Sequence, residues 1–113
     1  MMSRKVRLTV TVRREVYETA DYIAETSSTQ ALRLLDEFEQ VLIAFVSWPG
    51  ELQRRVINEE SSSGRWLRAA YLVGFRQHLI VYEVREEEVL VHSFVHASRV
   101  TADYLESLLE DNI

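Results

Sequence analysis

At 113 residues, with 47% hydrophobic side chains and no cysteine, the chain can bury one compact core but is too short for two ordinary domains. The lack of cysteine also excludes a disulfide framework, a thiol nucleophile and a cysteine-ligated metal. The formal charge of -5 is unevenly spread, with five cations and no acid in residues 1–14 and ten acids against three arginines in residues 15–60, which argues against a broad basic surface for sequence-independent nucleic-acid binding.

Lys5 to Val12 alternates, with Val6, Leu8, Val10 and Val12 on one side and Arg7, Thr9 and Thr11 on the other, which predicts a first strand with one buried face. From Arg13 the period lengthens to that of a helix, with Val16, Ala20 and Ile23 on the apolar stripe and Glu15, Glu18 and Asp21 outside it, ending near Glu25. Thr26 to Thr29 is a polar break in which Ser27, Ser28 or Thr29 can cap the next helix. That second helix places Ala31, Leu34, Leu35, Phe38, Val41, Leu42 and Phe45 on one face, and Trp48-Pro49-Gly50 ends it.

Glu51 to Gly64 is polar and reads as an exposed connection, with Leu52, Val56 and Ile57 pinning it to the core. Strands are expected at about Trp66 to Val73, Arg76 to Arg85 and Glu88 to His96, separated by a turn at Gly74 and a tight hairpin at Glu86-Glu87-Glu88. Val100 to Leu109 carries Tyr104, Leu105, Leu108 and Leu109 and reads as a short amphipathic helix. The order is strand, two helices, three strands, helix, in which an antiparallel sheet buries the stripe of a helical hairpin. The expectation is an α+β two-layer fold in a single domain, residues 1–113. The apolar run near the N-terminus is broken by Arg7, Thr9 and Thr11, unlike a signal peptide, and no window approaches the ~20 apolar residues of a membrane span. A soluble cytoplasmic protein is expected.

Several segments resemble RelE/ParE toxins in this order: DYIAE at Asp21 to Glu25, Trp48-Pro49, Leu67-Arg68, the VGFRQHLIVYEV arm, and HASR at His96 to Arg99. The ending resembles the His-Gly-Ala-Arg of the ParE branch, with Ala97 and Ser98 in the middle positions here. The resemblance implies one half of a type II toxin-antitoxin pair, of the kind linked to plasmid stabilization, that inhibits growth and is neutralised by a cognate antitoxin. It implies DNA gyrase as the protein target for a ParE-like toxin. For a RelE-like one it implies cleavage of mRNA on the ribosome, and a third reading is an inactive relative that retains antitoxin binding.

Cleaving RNA through its own 2'-hydroxyl needs a base, an acid and cations around the phosphorane, which makes Arg68, Arg76, Tyr82, His96 and Arg99 the candidate catalytic residues of the nuclease reading. Strand parity groups Arg76, His78, Ile80 and Tyr82 on one face, and Leu90, His92, Phe94 and His96 on one face of the next strand. Each has a plainer reading. His96 at a strand end can bond the backbone, His92 can be a half-buried structural residue, His78 a surface one, and Tyr82 can pack its ring and leave its hydroxyl wet. Arg68 and Arg99 can pair with nearby acids or with antitoxin carboxylates. The three histidines lack close metal-ligand spacing and the Gly74 turn lacks a glycine cluster or adjacent lysine, so neither a metal, a phosphate loop nor a cofactor is expected. The acidity and the absence of lysine after Lys5 favour binding to a protein target over ribosome-dependent cleavage.

Overall fold

Thr9 divides two periodicities that the sequence runs together. In the computed structural model, which describes residues 4–47, 55–60 and 65–111, strand β1 is Lys5–Leu8 and helix α1 begins at once, spanning Val10–Ala24. Thr9 donates its N–H to Val91 O, its hydroxyl donates to His92 O, and its Oγ1 accepts the Val12 N–H as the helix cap. The strand expected to reach Val12 therefore ends four residues earlier. Val10 and Val12 continue the strand alternation, but Val12, Val16 and Ala20 also lie four apart and are all buried on one helical face.

Ser27 caps α2 (Ser28–Ser47) by accepting the Gln30 N–H. Along α2, Ala31, Leu34, Phe38 and Phe45 are buried, with Leu35, Val41 and Leu42 packed beside them. The expected stop at Trp48-Pro49-Gly50 lies outside the described residues. Strand β2 is Arg55–Glu60, β3 is Trp66–Leu72, β4 is Phe75–Val84 and β5 is Glu88–His96. A 3-10 turn over Ala97–Arg99 leads to α3, Ala102–Asp111, whose first turn is capped by Thr101 Oγ1 accepting the Tyr104 N–H.

The α+β class and the expected element order are present, with three corrections. The sheet is five-stranded and mixed, in the order β1-β5-β4-β3-β2, because β1 runs parallel to β5 while the other pairs are antiparallel. Residues 55–60, within the stretch expected to be an exposed connection, form an edge strand, with Glu59 and Glu60 registered to Leu67 and Trp66. An edge strand needs one hydrogen-bonding neighbour and no apolar alternation, so its polar composition concealed it. The sheet is also covered on both faces. The helical hairpin buries Ala70, Leu72, Ile80, Tyr82, Val89, Val91 and Phe94, and α3 packs Leu105, Leu108 and Leu109 against Leu67, Ala69, Leu79, Val81 and Val95.

A bulge in β5 changes which side chains share a face. Val81 pairs with Ser93 but Tyr82 pairs with Val91, so His92 is the extra residue. Val91 and Phe94, three apart, thus both enter the core under the hairpin. The expected grouping of His92 with Phe94 and His96 fails for this reason.

Candidate functional site

The helical hairpin does not close fully over the sheet. Arg13, Val16 and Tyr17 of α1 face Leu35, Phe38, Glu39 and Leu42 of α2 across a groove of about 420 Å³ that reaches Leu8 of β1. These positions recur at three- and four-residue steps on each helix, which puts them on the facing stripes. Val16 and Phe38 are buried, whereas Tyr17 is 59% exposed. Arg13 and Glu39 are exposed, and neither forms an ion pair among the described residues. The groove therefore offers an apolar surface with one cation and one carboxylate open to a partner.

The five candidates for RNA chemistry fall at two separate positions on the sheet. Tyr82 is fully buried under the hairpin, its ring 4.3 Å from that of Phe45, so the wet hydroxyl anticipated for it is not seen. Arg68 is its register partner on β3 and is half-buried. Four residues along β4, about 13 Å at the rise of a strand, His78 pairs with exposed His96. Arg76 and Arg99 are exposed near that second position in sequence, one at the start of β4 and one in the 3-10 turn. Arg68, Arg76 and Arg99 form no ion pair among the described residues, so the anticipated pairing of Arg68 and Arg99 with nearby acids is not seen.

His96 has a structural task. Its Nδ1 accepts the Ser98 N–H at 3.1 Å and caps the 3-10 turn, and its Nε2 faces Gln77 Oε1 at 3.4 Å. His78 stacks on Phe94, ring centroids 5.3 Å apart, and Phe94 meets Phe38 of α2 edge-on. An aromatic row thus runs from α2 across the sheet to His96. Burial, and then the neighbouring His96, lower the pKa of His78 and favour its neutral imidazole.

Two polar clusters escaped sequence reasoning. Where β1 ends beside β5, Glu15 of α1 accepts the Phe94 N–H at 3.1 Å and the Ser93 hydroxyl at 3.0 Å, and Ser93 also bonds the Tyr104 hydroxyl of α3. The carboxylate stands in for the missing strand neighbour, and its burial raises its pKa despite these bonds. In the second cluster, buried Glu83 bonds Arg65, Arg85 and fully buried His92. Burial alone would raise the Glu83 pKa, but the bonds from Arg65 and His92 and the Arg65 and Arg85 charges outweigh it and hold the group at about 2. In both clusters the partners lie far apart in sequence or meet through a bulge, so local spacing gave no signal.

The family model for the ParE toxin of type II toxin-antitoxin system, parDE, matches residues 6–101. The chain belongs to the ParE toxin family. No curated protein matches it. The ParE match runs from β1 through the 3-10 turn, so it includes the groove, all five candidate residues and both polar clusters apart from Tyr104. Membership of the ParE family makes the chain a toxin of a toxin-antitoxin pair and implies an antitoxin partner. No helix among the described residues is long and apolar enough to cross a membrane.

Proposed function

We propose that the protein inhibits growth by binding a protein target, with DNA gyrase as that target, and that its antitoxin neutralises it by laying an amphipathic segment in the groove between α1 and α2. The observation that carries this reading is the groove itself: apolar walls, an exposed Tyr17, and Arg13 and Glu39 without ion-pair partners among the described residues. An amphipathic helix docks in such a groove through side chains at three- and four-residue steps, and a basic and an acidic rim residue set its register. The dispersal of the nuclease candidates supports a binding mode of action, because phosphoryl chemistry needs its acid, base and cations around one phosphorus. Tyr82 lies in the core and the Nδ1 of His96 holds the backbone of a turn.

Two experiments test the proposal. Mixing the toxin with the product of the neighbouring gene should give a stable complex, and its absence would remove the antitoxin part. Controlled expression should inhibit gyrase supercoiling and leave ribosome-bound mRNA intact. Codon-linked mRNA cuts that vanish in His96→Ala or Arg68→Ala would replace this reading with the nuclease.

A further inference from the structure

Histidines 78 and 96 are eighteen positions apart in sequence, yet the β4–β5 pairing makes them direct register partners, with ring centroids 5.6 Å apart and planes crossing at 81°. We propose that this pair, with the Gln77 amide oxygen, is a binding site for a divalent ion of the imidazole-seeking group, Zn²⁺, Ni²⁺ or Cu²⁺.

The argument rests on donor geometry. A tetrahedral ion with metal–nitrogen bonds of about 2.0–2.1 Å holds its ligand atoms about 3.3–3.4 Å from one another. His96 Nε2 and Gln77 Oε1 already stand 3.4 Å apart, a long hydrogen bond but a fitting ligand separation. Two imidazoles on one such ion place their ring centroids about 5–6 Å apart, which the observed 5.6 Å meets. The site is partly built before any ion arrives. Stacking on Phe94 fixes the plane of His78, and the His78 side chain forms no hydrogen bond among the described residues, so its ring nitrogens are not committed elsewhere.

His96 has a second partner suited to the bound state. If Nε2 takes the ion, Nδ1 must carry the proton, so the cap bond that Nδ1 accepts from the Ser98 N–H is exchanged for one that it donates to Ser98 Oγ, 2.8 Å away. Such a hydroxyl behind a ligating histidine fixes the tautomer and aims the free nitrogen. Among the described residues no group of three or more His, Cys, Asp or Glu side chains could hold a metal ion. The donor set is therefore two imidazoles and one neutral oxygen, with water completing the shell. With no carboxylate or thiolate, this set selects by imidazole affinity and favours Cu²⁺ over Zn²⁺.

The test uses the untagged full-length protein, titrated with Cu²⁺ alone and with Zn²⁺ alone by calorimetry and followed by histidine NMR. One ion should bind per chain, Cu²⁺ more tightly; Zn²⁺ should shift the resonances of His78 and His96 and leave those of buried His92 unmoved, and paramagnetic Cu²⁺ should broaden the same two histidines first. His78→Gln and His96→Gln should each weaken binding about tenfold or more, and Gln77→Ala less. Circular dichroism of each variant separates loss of the site from loss of the fold. No binding at millimolar ion, or an unchanged isotherm in a folded double variant of both histidines, would overturn the proposal.

Discussion

The carboxylate of Glu83 accepts a hydrogen bond from the Nε2–H of His92 at 3.1 Å, inside the sheet. Ionised Glu83 can only accept, so the bond requires the proton on Nε2 and a neutral His92 is sufficient to make it. Burial is the largest influence on His92 and lowers its pKa, although the bond and charge of Glu83 oppose it. Arg65 and Arg85 supply the positive charge that balances the carboxylate.

This arrangement fixes the direction of the pH dependence. Both groups have folded pKa values below their unfolded ones, so the unfolded chain binds more protons and acid favours unfolding. The His92 contribution is complete above its ordinary value of 6.5 and is lost as pH falls below it. The Glu83 contribution is complete above 4.5 and is lost between there and about 2. Glu15, whose pKa is raised, works in the opposite direction and offsets part of the loss. Urea midpoints measured from pH 8 to pH 3 should fall toward acid. In Glu83→Gln, which removes the carboxylate charge that Arg65 and Arg85 share, stability at neutral pH should drop by about 2–3 kcal/mol and the fall below pH 4.5 should flatten. A wild-type profile that rises toward acid would contradict this account.

At the bulged edge of β5, Glu15→Ala removes the acceptor for the Phe94 N–H and should cost about 1–3 kcal/mol, the penalty of an unsatisfied donor. Glu15→Gln keeps an acceptor oxygen and sheds the desolvated charge, so its loss should be smaller. Thermal unfolding at neutral pH distinguishes them, and equal losses would show that the charge itself is needed.

Gly74 lies where a Cβ would stand 2.6 Å from Glu37 Oε2, while the other oxygen of that carboxylate accepts the Gly74 N–H at 2.7 Å. Gly74→Ala should push the Glu37 side chain aside and break this tie between α2 and the β3–β4 turn. Because the obstructing atom ends a flexible side chain, the expected loss is about 0.5–1 kcal/mol. In a Glu37→Ala background the same substitution should cost less, which a double-mutant cycle measures.

In the groove, Tyr17→Glu places a second carboxylate near Glu39 at a site 59% exposed in the free protein. Stability should change by less than about 0.5 kcal/mol, whereas antitoxin affinity should fall about tenfold or more if Tyr17 is an anchor. Titration with the antitoxin, with unfolding as control, separates these effects. Unchanged affinity would move the antitoxin off this face.

The start and buried face of the second helix and the bounds of the last three strands were readable to within a residue or two because their apolar periods are long and the turns between the strands are marked by Gly74 and the acidic run. The boundary at Thr9 was hidden because Val10 continues the strand alternation and Val12 satisfies both periods, and the cap deciding between them depends on β5. Strand β2 was hidden because its pairing is made by the backbone. The candidate site suffered most from the bulge at His92, since one inserted residue reverses the parity from which faces are read. Glu15 looked like an outward helix acid, and only the end of β1 beside Phe94 gives it a task.

The parallel pairing of β1 with β5 has a temporal consequence. Residues 5–8 leave the ribosome some eighty residues before their sheet partners, residues 88–91. Until those partners emerge, β1 has no strand neighbour, Thr9 lacks its two acceptors on β5, and the Arg7–Glu88 ion pair cannot form. Closing so distant a contact is entropically expensive and comes late in folding. A chain interrupted before Glu88 therefore has no strand on which to dock β1 beneath the groove, so the surface assigned to the antitoxin is completed only after residues 88–91 have emerged.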